Sequence, residues 1–361
     1  MSELFEQFDR LKQVEPKLAL ATLVNTRGTT PRKEGAKMMV GEGGRILGSV
    51  TIGGCVDAQV IEESAAVLSE QAPKLLELNL GDEEAWEIGL TCGGTIEVFV
   101  EPVALDTPGD PTLNYYERLR DHAAKGGSGA LVTRLDPPQH GSKLMVLDNG
   151  AVQGTLGDNF LDRRYMAEAR ELIKQAVSKT LFVEGVRAFV ECVAPPATLL
   201  VVGAGHVAMP LVSLAKVLGY RTIVVDGRPR FATRERFPDV DDLKVGIPSE
   251  LVQSIPLIPS TALVLVAHDY KYDLPVLKHA LGASAGYIGM LGSSRRGNAI
   301  LNLLREEGVS EEALARIHVP IGLDLGAQTA PEIALAILAE IQAVRSGKSG
   351  RPLRELKQGR S

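Results

Sequence analysis

Leu199-Leu200-Val201-Val202-Gly203-Ala204-Gly205-His206 opens the second half of a 361-residue chain. The consecutive apolar residues predict a short buried strand. Gly203-x-Gly205-x-x-Ala208 follows directly and leads into a helical pattern over 206–218. Gly203 permits the tight turn, and Gly205 lets a phosphate approach the backbone. Ala208 allows close helix–strand packing, and the helix N-terminus attracts an anion. The next apolar run, 221–225, ends at Asp226, near the spacing of an acid that binds a ribose hydroxyl. Strand, turn, helix and acid together predict a Rossmann-like nucleotide fold.

Downstream, short apolar runs at 242–245, 262–266, 285–289 and 316–319 alternate with helical segments. That alternation predicts βαβ units, a parallel sheet and a doubly wound α/β domain over 198–345. The basic stretch 346–361 is expected to be a flexible tail. Upstream, Ala194-Pro195-Pro196-Ala197 predicts an extended linker. Residues 1–194 are expected to form an N-terminal α+β domain. Within it a helix is predicted over 3–14, a strand over 17–25 and a hairpin over 37–40 and 45–50. A helix is expected from Val56 to Glu70, with further helices near 111–124 and 159–178. Strands are expected at 75–80, 96–100, 129–134, 143–147, 151–155 and 186–193. No internal repeat is legible.

The chain carries a net charge of -6 and only 4% aromatic residues, which argues against a nucleic-acid partner. The acidic excess lies in the first half, and the half with the glycine turn is net basic. No apolar run approaches the roughly 18 residues that span a bilayer. Three cysteines cannot build a full disulfide framework, so a cytoplasmic location is expected.

Ligands of open α/β sheets collect at the carboxyl ends of the strands. There the sequence places Arg228, a phosphate ligand or an exposed arginine, and His268-Asp269. His268 suits a proton donor, a metal ligand, a ligand-orienting group or a structural hydrogen bond. Ser293 and Arg295, in Gly292-Ser293-Ser294-Arg295-Arg296, suit an anion site or a helix cap with surface charge. Asp324 follows the last strand. His206 either touches a phosphate or caps its helix. Thr329-x-x-Glu332 reads as a capping box.

Gly53-Gly54-Cys55 precedes a helical pattern, and Cys92-Gly93-Gly94 has the mirror order. A helix N-terminus favours thiolate, and flanking glycines allow close approach of a ligand. The alternative is two small buried residues in tight turns. Neither forms a C-x-x-C pair, and structural zinc is not expected. Cys192 lies in an apolar strand and is expected in the core.

These motifs, in this order, resemble the XdhC/CoxI family of accessory proteins of molybdenum-cofactor hydroxylases. The resemblance rests on Gly28-Thr29-Thr30-Pro31-Arg32, Gly53-Gly54-Cys55 and Cys92-Gly93-Gly94 in the first half. In the second it rests on Gly203-Ala204-Gly205-His206, Asp226-Gly227-Arg228, His268-Asp269, Gly289-Met290-Leu291-Gly292-Ser293 and Gly322-Leu323-Asp324-Leu325-Gly326. Ile52 and Asp57 stand where family members often carry Ser and Glu, and Gln328 stands where Arg is common.

The resemblance implies a chaperone that binds molybdenum cofactor, as molybdopterin or its cytosine dinucleotide form. It would support sulfuration of the cofactor and deliver it to an apo-hydroxylase of the xanthine dehydrogenase or CO dehydrogenase type. A cysteine desulfurase would supply the sulfur, and a homodimer is the implied assembly. Cys55 and Cys92, as soft ligands, would contact molybdenum and would need to face the nucleotide crevice. Two rival readings stand beside this one. An NAD(P)-dependent oxidoreductase would use Asp226 for ribose and His268 for acid–base chemistry. An interaction scaffold would have no chemistry of its own.

Overall fold

The computed structural model describes residues 8–28, 30, 32–51, 55–80, 94–107, 109–266 and 270–357. The chain divides into two compact units, Met1–Pro195 and Pro196–Ser361. It is an α/β architecture: antiparallel sheets with helices in the first unit and a parallel Rossmann-like sheet in the second. Among the described residues no helix is long and apolar enough to cross a membrane.

The first unit is built twice over. Strands β1 (Lys17–Gly28), β2 (Lys37–Gly41) and β3 (Ile46–Gly48) lead into helix α1 (Cys55–Glu70), then β4 (Lys74–Asn79) and β5 (Gly94–Ala104). After α2 (Pro111–Ala124) the same order returns. It runs β6 (Gly129–Arg134), β7 (Lys143–Leu147), β8 (Val152–Gly154), α3 (Asn159–Gln175), β9 (Lys179–Val183) and β10 (Val186–Val193). The two five-stranded sheets have matching orders, β3-β2-β1-β5-β4 and β8-β7-β6-β10-β9. The absence of a repeat expected from the sequence is therefore corrected: topology and register both repeat.

Register makes the equivalence residue by residue. Thr22 lies opposite Lys37 and Phe99, and Thr133 lies opposite Lys143 and Phe189. Glu101 on β5 and Glu191 on β10 are then matched, as are Glu97 and Arg187. The hairpins end on matched glycines, Gly48 and Gly154, with φ of 76° and 93°, where a Cβ would be strained. α1 packs on the first sheet and α3 on the second. Their cores are separate clusters with matched members, such as Val40 with Val146 and Val100 with Val190.

Between the two copies, Val24, Phe99, Leu135 and Phe189 form one small cluster of two matched pairs. Beside it lies a buried polar centre in which the copies exchange counter-ions. Lys37 Nζ reaches Glu191 Oε2 at 3.0 Å, and Lys143 Nζ reaches Glu101 Oε2 at 2.9 Å. Each lysine also donates to its own threonine, Thr22 or Thr133, at 2.8 and 3.1 Å. Tyr116 of α2 accepts from Lys37 and donates to Glu191, while Thr112 donates to Glu101. Burial lowers the Lys37 pKa, against the pull of Glu191. Burial, then the nearby glutamates, pushes the Tyr116 phenol well up.

The second unit carries six parallel strands in the order β13-β12-β11-β14-β15-β16. They are β11 (Thr198–Val202), β12 (Arg221–Asp226), β13 (Asp242–Val245), β14 (Thr261–Leu265), β15 (Tyr287–Met290) and β16 (Ile317–His318). Central strands of such a sheet are covered on both faces, which is why they are unbroken apolar runs. α4 (Ala208–Val217) and α9 (Ala330–Ser346) cover one face, through Leu211, Val212, Ile337 and Ile341. α5 (Pro248–Gln253), α6 (Tyr270–Leu281) and α7 (Ser294–Glu306) cover the other, through Val252, Val276, Leu277, Ile300 and Leu304. Each such side chain fully buried contributes about 1.5–3 kcal/mol. A four-residue α8 (Glu311–Leu314) precedes β16, and α10 (Leu353–Lys357) lies in the basic tail. Strand order reverses between β11 and β14, so the switch point falls at the glycine turn.

Candidate functional site

The turn after β11 is built as its glycines require. Gly203 has φ of 109°, and its N–H donates to Val225 O at 2.8 Å, tying the turn to β12. Among the described residues a Cβ on Gly205 would meet Val266 O at 3.7 Å, an ordinary contact without a clash. Ala208 is fully buried against the sheet. The N-cap of α4 is Val207, which has no polar side chain to satisfy the first N–H groups. Ala208 N donates to Gly205 O at 3.2 Å, Leu211 N donates to Val207 O at 3.2 Å and Pro210 carries no N–H, so among the described residues the Met209 amide is the one in this turn left for water or an anion. His206 is exposed in the turn and is not the N-cap residue.

Asp226 ends β12 beneath this turn and is 3% exposed. Its Oδ1 accepts from Arg228 N at 2.8 Å and Arg228 Nε at 2.9 Å. Its Oδ2 accepts from Arg228 Nη2 at 2.7 Å and from Ala204 N. Burial alone would raise this carboxyl. The Arg228 side chain and the two amides outweigh burial and hold its pKa below the usual range. The Arg228 guanidinium lies 4.1 Å from the centroid of Phe231, and that of Arg236 lies 5.1 Å from it. Arg236 Nη1 donates to Ala204 O at 3.0 Å and Phe231 O at 2.7 Å. Sequence reading missed Phe231 and Arg236, because nothing in a loop motif shows that it folds back onto the turn.

The remaining second-unit residues are dispersed along the strand ends. Ser293 is the N-cap of α7, accepting from Arg296 N at 3.3 Å, which is the cap alternative. Arg295 beside it is exposed, whereas Arg296 turns inward to Asp273, which is fully buried. Asp324 is exposed in the loop after β16. Thr329 and Glu332 form the expected capping box of α9. His268 and Asp269 lie outside the described residues.

A second polar cluster, absent from the motif reading, fastens the short edge strand. Glu340 of α9 accepts from Tyr287 OH and from Gly322 N, and faces His318 Nδ1 at 3.1 Å. Tyr287 and His318 stack with ring centroids 4.5 Å apart. The hydrogen bonds to Glu340 hold the backbone after β16 against α9.

In the first unit, Cys55 is the first residue of α1, and its side chain lies outside the described set. Cys92 also lies outside it. Asp57, in the first turn of α1, accepts from Thr51 Oγ1 at 3.0 Å and from Ser49. This lock ties the end of the β3 hairpin to the start of α1, on either side of Gly53-Gly54. Cys192 on β10 is half-buried rather than fully in the core; burial, then Glu191, pushes its thiol up to about 12. A thiol so shifted is a poor nucleophile at neutral pH. Among the described residues no group of three His, Cys, Asp or Glu is arranged to hold a metal ion.

Comparison with known proteins bears on both units. Residues 199–341 match the XdhC Rossmann domain, and residues 13–79 match the XdhC and CoxI family. The chain is 27% identical over 349 residues to a probable xanthine dehydrogenase subunit of Bacillus subtilis, covering 96% of this chain and 98% of that one. It is 29% identical over 327 residues to the molybdenum cofactor insertion chaperone PaoD of Escherichia coli, covering 90% and 83%. A crystal structure of a xanthine dehydrogenase from Bacillus halodurans superposes with a TM-score of 0.78 at 26% identity, over 97% of each chain. With matches in both units and likeness along nearly the whole chain, the protein belongs to the XdhC/CoxI family.

Proposed function

We propose that this protein is an accessory factor that receives molybdenum cofactor, supports its sulfuration and passes it to a molybdenum hydroxylase. The observation that carries the reading is likeness along 90% of the chain to a protein named as a molybdenum cofactor insertion chaperone. The second unit supplies chemistry suited to one end of such a cargo. The bare backbone at Gly205 and a start of α4 without a side-chain cap suit the phosphate of a pterin or the diphosphate of its cytosine dinucleotide form. In the first unit, Cys55 and Cys92 offer soft sulfur ligands for molybdenum. A cysteine desulfurase is the proposed sulfur donor, and a xanthine dehydrogenase-type apo-enzyme is the proposed recipient.

Molybdenum and pterin analysis after incubation with the cofactor tests the reading, with wild type beside Cys55→Ala and Gly205→Asp. Near-stoichiometric uptake, lost in both variants, supports a carrier that uses both units. No uptake by the wild type, with tight NADH binding instead, overturns it.

A further inference from the structure

In a dinucleotide site, the acid at the end of the second strand accepts hydrogen bonds from a ribose diol. Asp226 holds that place but is already saturated. An ionised carboxylate offers about four acceptor positions. Here three are taken by Arg228 and one by Ala204 N. A ribose hydroxyl would have to displace the Arg228 guanidinium, whose bonds join two opposite charges, or a backbone amide, and so gains no vacant acceptor here.

The same contacts arrange positive charge. Two side-chain nitrogens of Arg228 face Asp226, and among the described residues Nη1 has no hydrogen-bond acceptor, on a side chain that is 53% exposed. Arg236 bonds to two backbone carbonyls, and among the described residues it pairs with no carboxylate. Both guanidinium groups lie against Phe231, itself 41% exposed. Asp226 and Arg236 grip Ala204 by its amide and its carbonyl, so the cationic pair is anchored to the glycine turn. One carboxylate against two guanidinium groups leaves excess positive charge beside the glycine turn. Guanidinium forks match phosphate oxygens in shape as well as charge.

We propose that Arg228 and Arg236, stacked on Phe231, form a phosphate-selecting clamp beside the glycine turn. Asp226 is its positioning residue and not a ribose acceptor. The clamp takes a ligand with a phosphate ester at this place and rejects a bare diol. This deepens the cofactor-handling reading, and rests on it only for the identity of the natural ligand.

Titration calorimetry with the full chain tests the clamp using a pair that differs by one group, ADP-ribose and 2′-phospho-ADP-ribose. The phosphorylated form should bind about tenfold to a hundredfold tighter, as expected for hydrogen bonds to a charged group. Arg228→Ala and Arg236→Gln should each shrink that ratio. Asp226→Asn should shrink it too, and Asp226→Glu should partly restore it. A general folding defect would weaken both ligands together and leave the ratio unchanged. Inorganic phosphate and pyrophosphate, as competitors, separate a monoester from a diphosphate as the source of the anion. Equal binding of the two ADP-ribose forms, or a preference for the diol that Asp226→Asn abolishes, overturns the proposal. Molybdenum uptake by the same variants keeps the two readings apart. Selectivity without uptake removes the chaperone reading alone, and uptake by wild type without selectivity removes the clamp alone.

Discussion

The two copies within the first unit share strand order, register and a helix-start lock, yet they begin their helices differently. In the second copy Asp158 caps α3, accepting from Phe160 N at 2.8 Å and Leu161 N at 2.9 Å. In the first copy the residues before α1 are Gly53 and Gly54, and the helix opens on Cys55. The lock behind both starts is the same: Asp57 accepts from Ser49 and Thr51, and Asp162 from Thr155 and Leu156. One copy keeps a capping carboxylate. Its twin keeps the scaffold, and its sequence carries Gly53-Gly54-Cys55 before and at the first residue of the helix. A twin that lacks the motif shows what the fold alone needs there, and it does not need a cysteine.

The largest expected effect comes from the buried centre. Glu191→Ala leaves Lys37 buried without its counter-ion and should cost about 3–5 kcal/mol in denaturant unfolding. Glu101→Ala should cost as much through Lys143, and Lys37→Met with Glu191→Leu should recover most of the loss. A large loss at one pair and none at the other would break the equivalence of the copies. Next, Asp158→Ala should lower stability by about 0.5–2 kcal/mol, read in a thermal melt, and leave molybdenum uptake unchanged. Cys55→Ser should do the reverse, losing uptake while stability stays within about 0.5 kcal/mol. Similar behaviour of these two variants would erase the distinction between cap and thiol.

Acid should loosen the second unit. Asp226, Asp241 and Glu340 in the second unit all lie below the usual carboxylate range. Burial opposes the shift in each, and bonds from Arg228, Lys216 and His318 respectively, together with other donors, outweigh it. A folded-state pKa below the unfolded one stabilises fully above the unfolded value, and that stability is lost as pH falls through the folded value. Hydrogen exchange should therefore show the second unit loosening as pH drops below about 4. Protection there that is unchanged by acid would argue against these bonds. The smallest effect is at Cys192, which iodoacetamide at neutral pH should leave unmodified in the folded protein by mass spectrometry; rapid alkylation would mean its burial is transient.

Most of the second unit was legible because doubly covered strands are unbroken apolar runs, and the turn, Asp226 and the capping box follow fixed spacings. The duplication was also written in the chain but at changing offsets. Lys37-x-Met39-Val40 recurs as Lys143-x-Met145-Val146, and Phe99-Val100-Glu101-x-Val103 as Phe189-Val190-Glu191-x-Val193. Loops of different length shift each match, so no single period exposes it. β9 was missed because Lys179-Thr180-Leu181-Phe182-Val183 is an edge strand with no fully buried residue. The saturation of Asp226 was out of reach, since it depends on Arg228 folding back onto its own strand end.

The matched charges have one asymmetric member. Each copy carries its own lysine and its own glutamate, so two first copies, or two second copies, would satisfy those pairs as well as the native arrangement does. Glu97 and Arg187 occupy equivalent places and meet at 2.9 Å. Two first copies would set glutamate against glutamate there, and two second copies arginine against arginine. That single contact tells self from twin. It favours a first copy pairing with a second copy over either copy pairing with its like.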